Sequence, residues 1–138
     1  MGTIRVLIGI LGLDQHEVGA VAVASMLRDA GMEVIYLGCY QTPDTLVSSA
    51  IQEDADVLGI SCHSWEYLEY LPTLMQRLKA EGCDTAVVLG GSVITPGDVR
   101  TLMQQGVAAV FGPGSTPEEM ISIIRALARK RADGASIQ

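Results

Sequence analysis

Cysteine is scarce in this chain, basic residues are outnumbered, and no apolar stretch runs long. The thiols are Cys39, Cys62 and Cys83, an odd count with no CxxC pair. That favours reduced cysteines in a cytoplasm over a disulfide framework. Nine lysines and arginines face sixteen acids, for a net charge of −7. Such a surface repels a nucleic-acid backbone and leaves small ligands and other proteins as partners. No apolar run approaches the ~20 residues that a membrane span needs, and Met1-Gly2-Thr3-Ile4-Arg5 lacks a signal-peptide layout. Gly2 invites a myristoylation reading, but Val6 stands where that motif requires serine or threonine.

What is present is a domain's worth of hydrophobic sequence: 138 residues, 49% of them apolar, enough for one proper core. Ile4 to Leu11 is apolar at nearly every position, the pattern of a strand covered on both faces. Val18, Val21, Ala22, Ser25, Met26 and Asp29 follow at helical spacing, and Gly31 suits a left-handed helix cap. Glu33 to Leu37 reads as a second strand. Thr42-Pro43 starts a helix, with threonine as cap and proline in the first helical position, and Leu46, Val47, Ala50 and Ile51 form its buried stripe. Asp56 to Ile60 is a third strand. Because Pro72 is tolerated only near a first turn, the next regular helix is expected from about Leu71 to Ala80, closed by Gly82. Ala86 to Leu89 is a fourth strand. Thr95-Pro96 repeats the threonine–proline start, Gly106 ends that helix, and Ala108 to Phe111 is the fifth strand. Thr116-Pro117-Glu118-Glu119 is a capping box for a last helix carrying Met120, Ile121, Ile124 and Leu127 inward. From Arg129 the chain turns polar and is expected to fray.

Five strands alternating with five helices over short connections predict an α/β fold. The expectation is a doubly wound, flavodoxin- or Rossmann-like parallel sheet of five strands in the order 2-1-3-4-5. Its switch point falls between strands one and three. Ligands gather at the carboxyl ends of strands in such sheets, which collects Asp14, His16 and Gly19; Ser61, Cys62 and His63; Gly90 and Gly91; and Gly112, Pro113 and Gly114. Both histidines lie on that edge. A carboxylate two residues before His16 can fix its tautomer and free the other ring nitrogen for a metal. An ordinary βα turn with an exposed histidine accounts for the same eight residues equally well. So many glycines suggest a large flat ligand against backbone, although such loops favour glycine in any case.

The spacing of these groups is more specific. Asp14-x-His16-x-x-Gly19 is separated from Ser61 by 41 residues (20–60), and His63 from Gly90-Gly91 by 26 (64–89). This resembles the cobalamin-binding domain of the base-off, histidine-on class, with its DxHxxG, SxL and GG motifs. Within that class it resembles the separately encoded small subunit of adenosylcobalamin-dependent acyl-CoA mutases of the isobutyryl-, 2-hydroxyisobutyryl- or methylmalonyl-CoA type. Leu27-Arg28-Asp29-Ala30-Gly31-Met32, Tyr40-Gln41-Thr42-Pro43 and Phe111-Gly112-Pro113-Gly114 are in that style.

The resemblance implies that His16 is the lower ligand of cobalt and Asp14 its partner. It implies that Ser61 hydrogen-bonds the displaced dimethylbenzimidazole, and that Gly19, Gly90 and Gly91 make room for the nucleotide tail. Gln15, His63, Gly112 and Gly114 complete the implied cofactor-binding set, with residues 1–131 as the cobalamin-binding domain and 132–138 as a flexible tail. It further implies a large acyl-CoA-binding subunit as partner in a heterotetramer, a cytoplasmic location, and no nucleic acid or membrane. A corrinoid carrier for a methyltransferase and the small subunit of an amino-acid mutase remain alternatives; the former usually has a helical cap ahead of a strand that here starts at residue 4. A phosphate-accepting receiver domain needs an aspartate where Ser61 stands. A zinc site from His16, His63, Cys62 and Cys39 would need ligand pairs closer in sequence.

One segment departs from the family pattern. His63 replaces the leucine of SxL, and Trp65, Glu66 and Tyr67 stand where small residues are usual. The expectation is that these rings form a wall of the tail pocket and stack on the tail. The alternative is that they cover the start of the next helix or face the partner.

Overall fold

Alternation along the first strand decides how the layers form. In the computed structural model, which describes residues 2–137 and side chains through residue 134, β1 spans Arg5–Leu11. Val6, Ile8 and Ile10 face one side of the sheet, and Leu7 and Leu11 the other. All five are nearly inaccessible, so each contributes about 1.5–3 kcal/mol by leaving water. A strand apolar on both faces demands a helical layer on each, and the remaining elements supply them.

The elements follow in order: α1 Val18–Asp29, β2 Glu33–Gln41, α2 Pro43–Gln52, β3 Val57–Ser61, α3 Glu66–Ala80, β4 Ala86–Gly90, α4 Pro96–Gln104, β5 Ala109–Phe111 and α5 Pro117–Ile137. The sheet is parallel throughout in the order β2-β1-β3-β4-β5, as the sequence predicted. One core joins α2, α3 and α4 to the sheet through Leu46, Val47, Leu71, Leu74, Leu78 and Leu102. The other joins α1 and α5 through Ala20, Ala24, Leu27 and Ile124. Thr42 and Thr95 both cap their helices as expected, each in a reciprocal box with the residue three positions on. Gly31, Gly82 and Gly106 take the positive φ that ends a helix.

Three boundaries differ from the sequence reading. Helix α3 begins at Glu66 and carries Pro72 in its interior. The apolar face Tyr67, Leu71, Leu74 and Leu78 is buried at helical spacing, and that packing outweighs the backbone hydrogen bond that proline forgoes. Strand β2 runs on to Gln41 through two register shifts against β1, with Gly38 at φ 84° and Tyr40 at φ 64°. Helix α5 continues past Arg129 to Ile137. There Arg131 reaches Asp54, Asp56 and Asp84 at the ends of neighbouring loops, which ties down the polar turn expected to fray. Met1 and Gln138, the last residue of the expected tail, lie outside the described residues.

Candidate functional site

Strand β1 ends on Leu11, and the loop that follows is pinned from three directions. Gly12 N–H donates to the Gln41 carbonyl of β2 at 2.9 Å. Leu13 N–H donates to Glu66 Oε2 of α3 at 2.7 Å. The Tyr36 hydroxyl of β2 donates to Glu17 Oε1 at 2.6 Å. Between these anchors, Asp14 is 5% exposed and collects three donors. His16 N–H and His16 Nδ1 reach its Oδ1 at 3.0 and 2.7 Å, and the main-chain N–H of His63 reaches its Oδ2 at 2.9 Å. Burial by itself raises the Asp14 carboxyl, but the hydrogen bonds from His16 and His63 outweigh it and hold the group below its ordinary value.

An ionised carboxylate only accepts, so the ring proton that meets it sits on His16 Nδ1, and the tautomer selected by this contact has its lone pair on Nε2. The His16 side chain is 69% exposed, so that nitrogen stands open at the carboxyl edge of the sheet. The Asp14 contact therefore fixes the ring with Nε2 aimed outward, the nitrogen through which a histidine held in this way binds a metal.

Beside it a pocket of about 170 Å³ opens between α1, α5 and the sheet. Val6, Ile8, Gly59 and Val88 form its floor, and Ala20, Leu27, Met120 and Ile124 its walls. Gly59 occupies the middle of β3 on the α1/α5 side, so the floor dips where a side chain would stand. Ser61, Gly90, Gly91 and Gly112 line the strand-end rim, and Gly19 lines the side next to His63. Ser61 is bracketed by Gly90 through the β3–β4 register, and its hydroxyl has no protein partner among the described residues. The His63 ring lies 5.7 Å from the His16 ring, centroid to centroid. Its Nε2 is 3.4 Å from where a Cβ on Gly19 would lie. His63 thus stands between the exposed imidazole and the pocket.

The structure brings Asp14, His16, Gly19, Ser61, His63, Gly90, Gly91 and Gly112 into this one region. Gln15 is exposed beside His16, and Gly114 lies in a turn outside the pocket lining. Gly91 has a reason of its own to be glycine. Its φ is 150°, and a Cβ there would overlap the Cys62 carbonyl. The zinc alternative fails: among the described residues no three His, Cys, Asp or Glu side chains are arranged to hold a metal. Cys62 is buried with its thiol on the Ile60 carbonyl.

The expectation for the aromatic segment is overturned. Neither Trp65 nor Tyr67 lines the pocket. Tyr67 is 2% exposed in the α2/α3/α4 core, on the opposite side of the sheet, because α3 starts early and position 67 falls on its buried stripe. Trp65 projects into solvent at 59% exposure. Sequence reasoning also missed Glu66 as an anchor and Met120 and Ile124 as pocket walls. Helical spacing marks the last two as inward but cannot separate a wall from a core.

Comparison with known proteins adds the following. Residues 4–133 match the B12 binding domain model. The chain is 41% identical over 128 residues to the 2-hydroxyisobutanoyl-CoA mutase small subunit of Aquincola tertiaricarbonis, covering 93% of this chain and 94% of that one. It is 41% identical over 127 residues to the pivalyl-CoA mutase small subunit of Xanthobacter autotrophicus, covering 92% and 85%. In fold it is similar to a cobalamin-binding protein from Desulfitobacterium hafniense, with a TM-score of 0.77 at 20% identity, over 91% of this chain and 59% of that one.

Proposed function

The chain belongs to the family of B12-binding domains, and from that premise we propose that it is the cobalamin-binding small subunit of an adenosylcobalamin-dependent acyl-CoA mutase. The observation that carries the reading is the Asp14–His16 pair beside an apolar slot, joined to it through His63 and Gly19. A corrinoid held with its own base displaced asks three things of a protein: an imidazole with a free nitrogen, a narrow slot beside it for the flat base, and a polar group at the slot's rim. His16, the α1/α5 pocket and the unpartnered Ser61 hydroxyl answer each, so the residues present fit the group.

In this reading His16 would hold the cobalt of the cofactor through Nε2. Asp14 accepts the hydrogen bond from Nδ1–H and makes the imidazole a better ligand. Ser61 hydrogen-bonds the displaced base. Gly19, Gly90 and Gly91 leave room for the tail, while Gln15, His63, Gly112 and Gly114 complete the proposed cofactor-binding set. The chemistry supplied by the bound cofactor is a radical carbon-skeleton rearrangement begun by cobalt–carbon homolysis. The protein's part would be to fix the metal's position and to shield the side on which His16 holds it from water. Residues 1–131 are taken as the binding unit, with 132–138 as an appended tail.

The relatives from Aquincola tertiaricarbonis and Xanthobacter autotrophicus are both small subunits, so a large subunit belongs to the proposal. It supplies the acyl-CoA site and covers the upper face of the corrin, in a heterotetramer. A cytoplasmic setting is supported by three free cysteines; among the described residues no helix is long and apolar enough to cross a membrane.

The test is magnetic. Cobalamin reduced to cobalt(II) is bound to protein carrying 15N-histidine, and the axial-nitrogen splitting is read by electron paramagnetic resonance. A doublet from 15N, lost in His16→Ala, is expected. A triplet from the cofactor's own 14N base would overturn the ligand assignment.

A further inference from the structure

Glu66 lies in the segment that departs from the family pattern, and the functional reading gives it no task. Its carboxylate nevertheless reaches across the carboxyl edge of the sheet to the loop that carries His16. Oε2 accepts the Leu13 N–H at 2.7 Å. The contact leaves no slack at the residue before: Gly12 sits at φ 71°, a Cβ there would overlap the Glu66 carboxylate, and the Tyr70 ring lies 3.0 Å from the same point. A side chain at position 12 would therefore have to push the Glu66 carboxylate off the Leu13 amide.

The next link is short. Leu13 precedes Asp14, and Asp14 is itself held by the His63 amide at 2.9 Å and holds the His16 ring at 2.7 Å. Residues 63 to 66 therefore grip the loop twice, once through the backbone of His63 and once through the side chain of Glu66. We propose that Glu66 is a positioning residue for His16, fixing the loop backbone so that the imidazole meets cobalt without first being ordered. The inference rests on the cobalamin reading above and deepens it.

A plainer role exists for an acid in this place. Glu66 and Glu69 both fall in the first turn of α3, where negative charge suits the helix dipole. Glu69 has that benefit too, yet it is exposed and forms no hydrogen bond among the described residues. The two explanations separate by experiment: a dipole role makes positions 66 and 69 equivalent, and a positioning role does not.

Three variants of the whole chain, Glu66→Ala, Glu66→Gln and Glu69→Ala, are compared with the unaltered protein. In the cofactor-free chain, hydrogen exchange of the Leu13 amide is followed by NMR. Cobalamin is then titrated, and the fraction with the histidine signature is read from the same 15N splitting. Glu66→Ala is expected to speed exchange at Leu13, weaken cobalamin binding by about 10-fold, a typical cost of losing an outer partner, and lower the histidine-ligated fraction. Glu66→Gln keeps an acceptor oxygen and should restore most of both, while Glu69→Ala should leave both unchanged. Wild-type exchange at Leu13 in Glu66→Ala, or equal losses in the alanine and glutamine variants, would overturn the inference. So would equal losses at positions 66 and 69. If the unaltered chain itself gives no His16-dependent signal, the functional reading fails, and the positioning role fails with it. If it gives the signal and Glu66→Ala matches it, only the positioning role fails.

Discussion

Asp14 and His63 stand 49 residues apart in the chain, yet the main-chain N–H of His63 donates to Asp14 Oδ2 at 2.9 Å. That bond crosses the switch point between β1 and β3 and ties together the two loops that carry both histidines. It also explains why a carboxylate that is 5% exposed remains ionised: all three of its close contacts are donors. The candidate ligand is thus held before any cofactor arrives, which lowers the ordering cost of binding.

Asp14→Asn tests that arrangement. Asparagine has a single acceptor oxygen and turns an NH2 towards one of the donors, His16 or His63. Leaving buried donors unpaired costs about 1–3 kcal/mol, so the urea midpoint should fall. Cobalamin affinity should fall by about 10–100-fold, since the partner that orients the imidazole is lost. A titration showing unchanged affinity would count against the role given to Asp14.

Much of this was legible in the sequence, for identifiable reasons. The strands are apolar runs bounded by glycine and by Thr-Pro helix starts, so the order of elements could be read directly. Asp14 and His16 are two residues apart, so their bond was within reach of a local argument. The His63 amide bond was not, because a main-chain donor leaves no mark in residue type. Tyr67 misled for a different reason. Pro72 argued for a late helix start, and that put residue 67 in a rim loop instead of on the buried face of α3. Glu66 was visible only as bulk, since its target is another backbone amide, that of Leu13.

The buried Tyr67 gives an alkaline prediction. Burial first, then the nearby Asp98 carboxylate, whose Oδ2 lies 3.4 Å from the hydroxyl, hold its ionisation well above the ordinary value of 10. The folded state therefore keeps a proton that the unfolded chain loses above pH 10. Tyr67 thus stabilises the fold fully below that pH, and its contribution drains away as pH rises towards the folded value. The slope is at most about 1.4 kcal/mol per pH unit for one such group. Urea unfolding at pH 9 and pH 11 should show that loss, and Tyr67→Phe should make it shallower. Equal slopes in the two proteins would show that Tyr67 is not responsible.

Arg131 closes the other end of the sheet. Its side chain is 17% exposed and meets Asp56 at 3.0 Å and Asp84 at 2.8 Å, with Asp54 close by. Because Arg131 sits on α5, which also carries Met120 and Ile124 into the pocket, it anchors one pocket wall from a distance. Arg131→Ala should lower stability by about 1–3 kcal/mol, the range for lost charged hydrogen bonds. Lysine should recover only part, because one ammonium cannot reproduce the fork that spans three carboxylates. Chemical denaturation of both variants decides it: full recovery by lysine would mean that charge alone matters.

Gly19 supplies the sharpest separation between what the fold needs and what the ligand needs. It lies in the first turn of α1, exposed, and a Cβ there would meet only the His63 ring at 3.4 Å, an ordinary contact. The protein alone gains from Gly19→Ala, because alanine loses less backbone freedom in a helix, a benefit of roughly 0.5–1 kcal/mol. The methyl group would stand at the side of the pocket next to His63, where the proposed tail must pass, so cobalamin affinity should fall. Stability and binding then move in opposite directions. Gly91→Ala should behave otherwise, losing stability outright, since its Cβ would overlap the Cys62 carbonyl and its φ of 150° disfavours any side chain. Melting temperature and cobalamin titration on the two variants read both quantities. If Gly19→Ala is more stable and binds cobalamin as tightly as before, the tail does not pass Gly19, and the path assigned to it through the α1/α5 pocket is wrong.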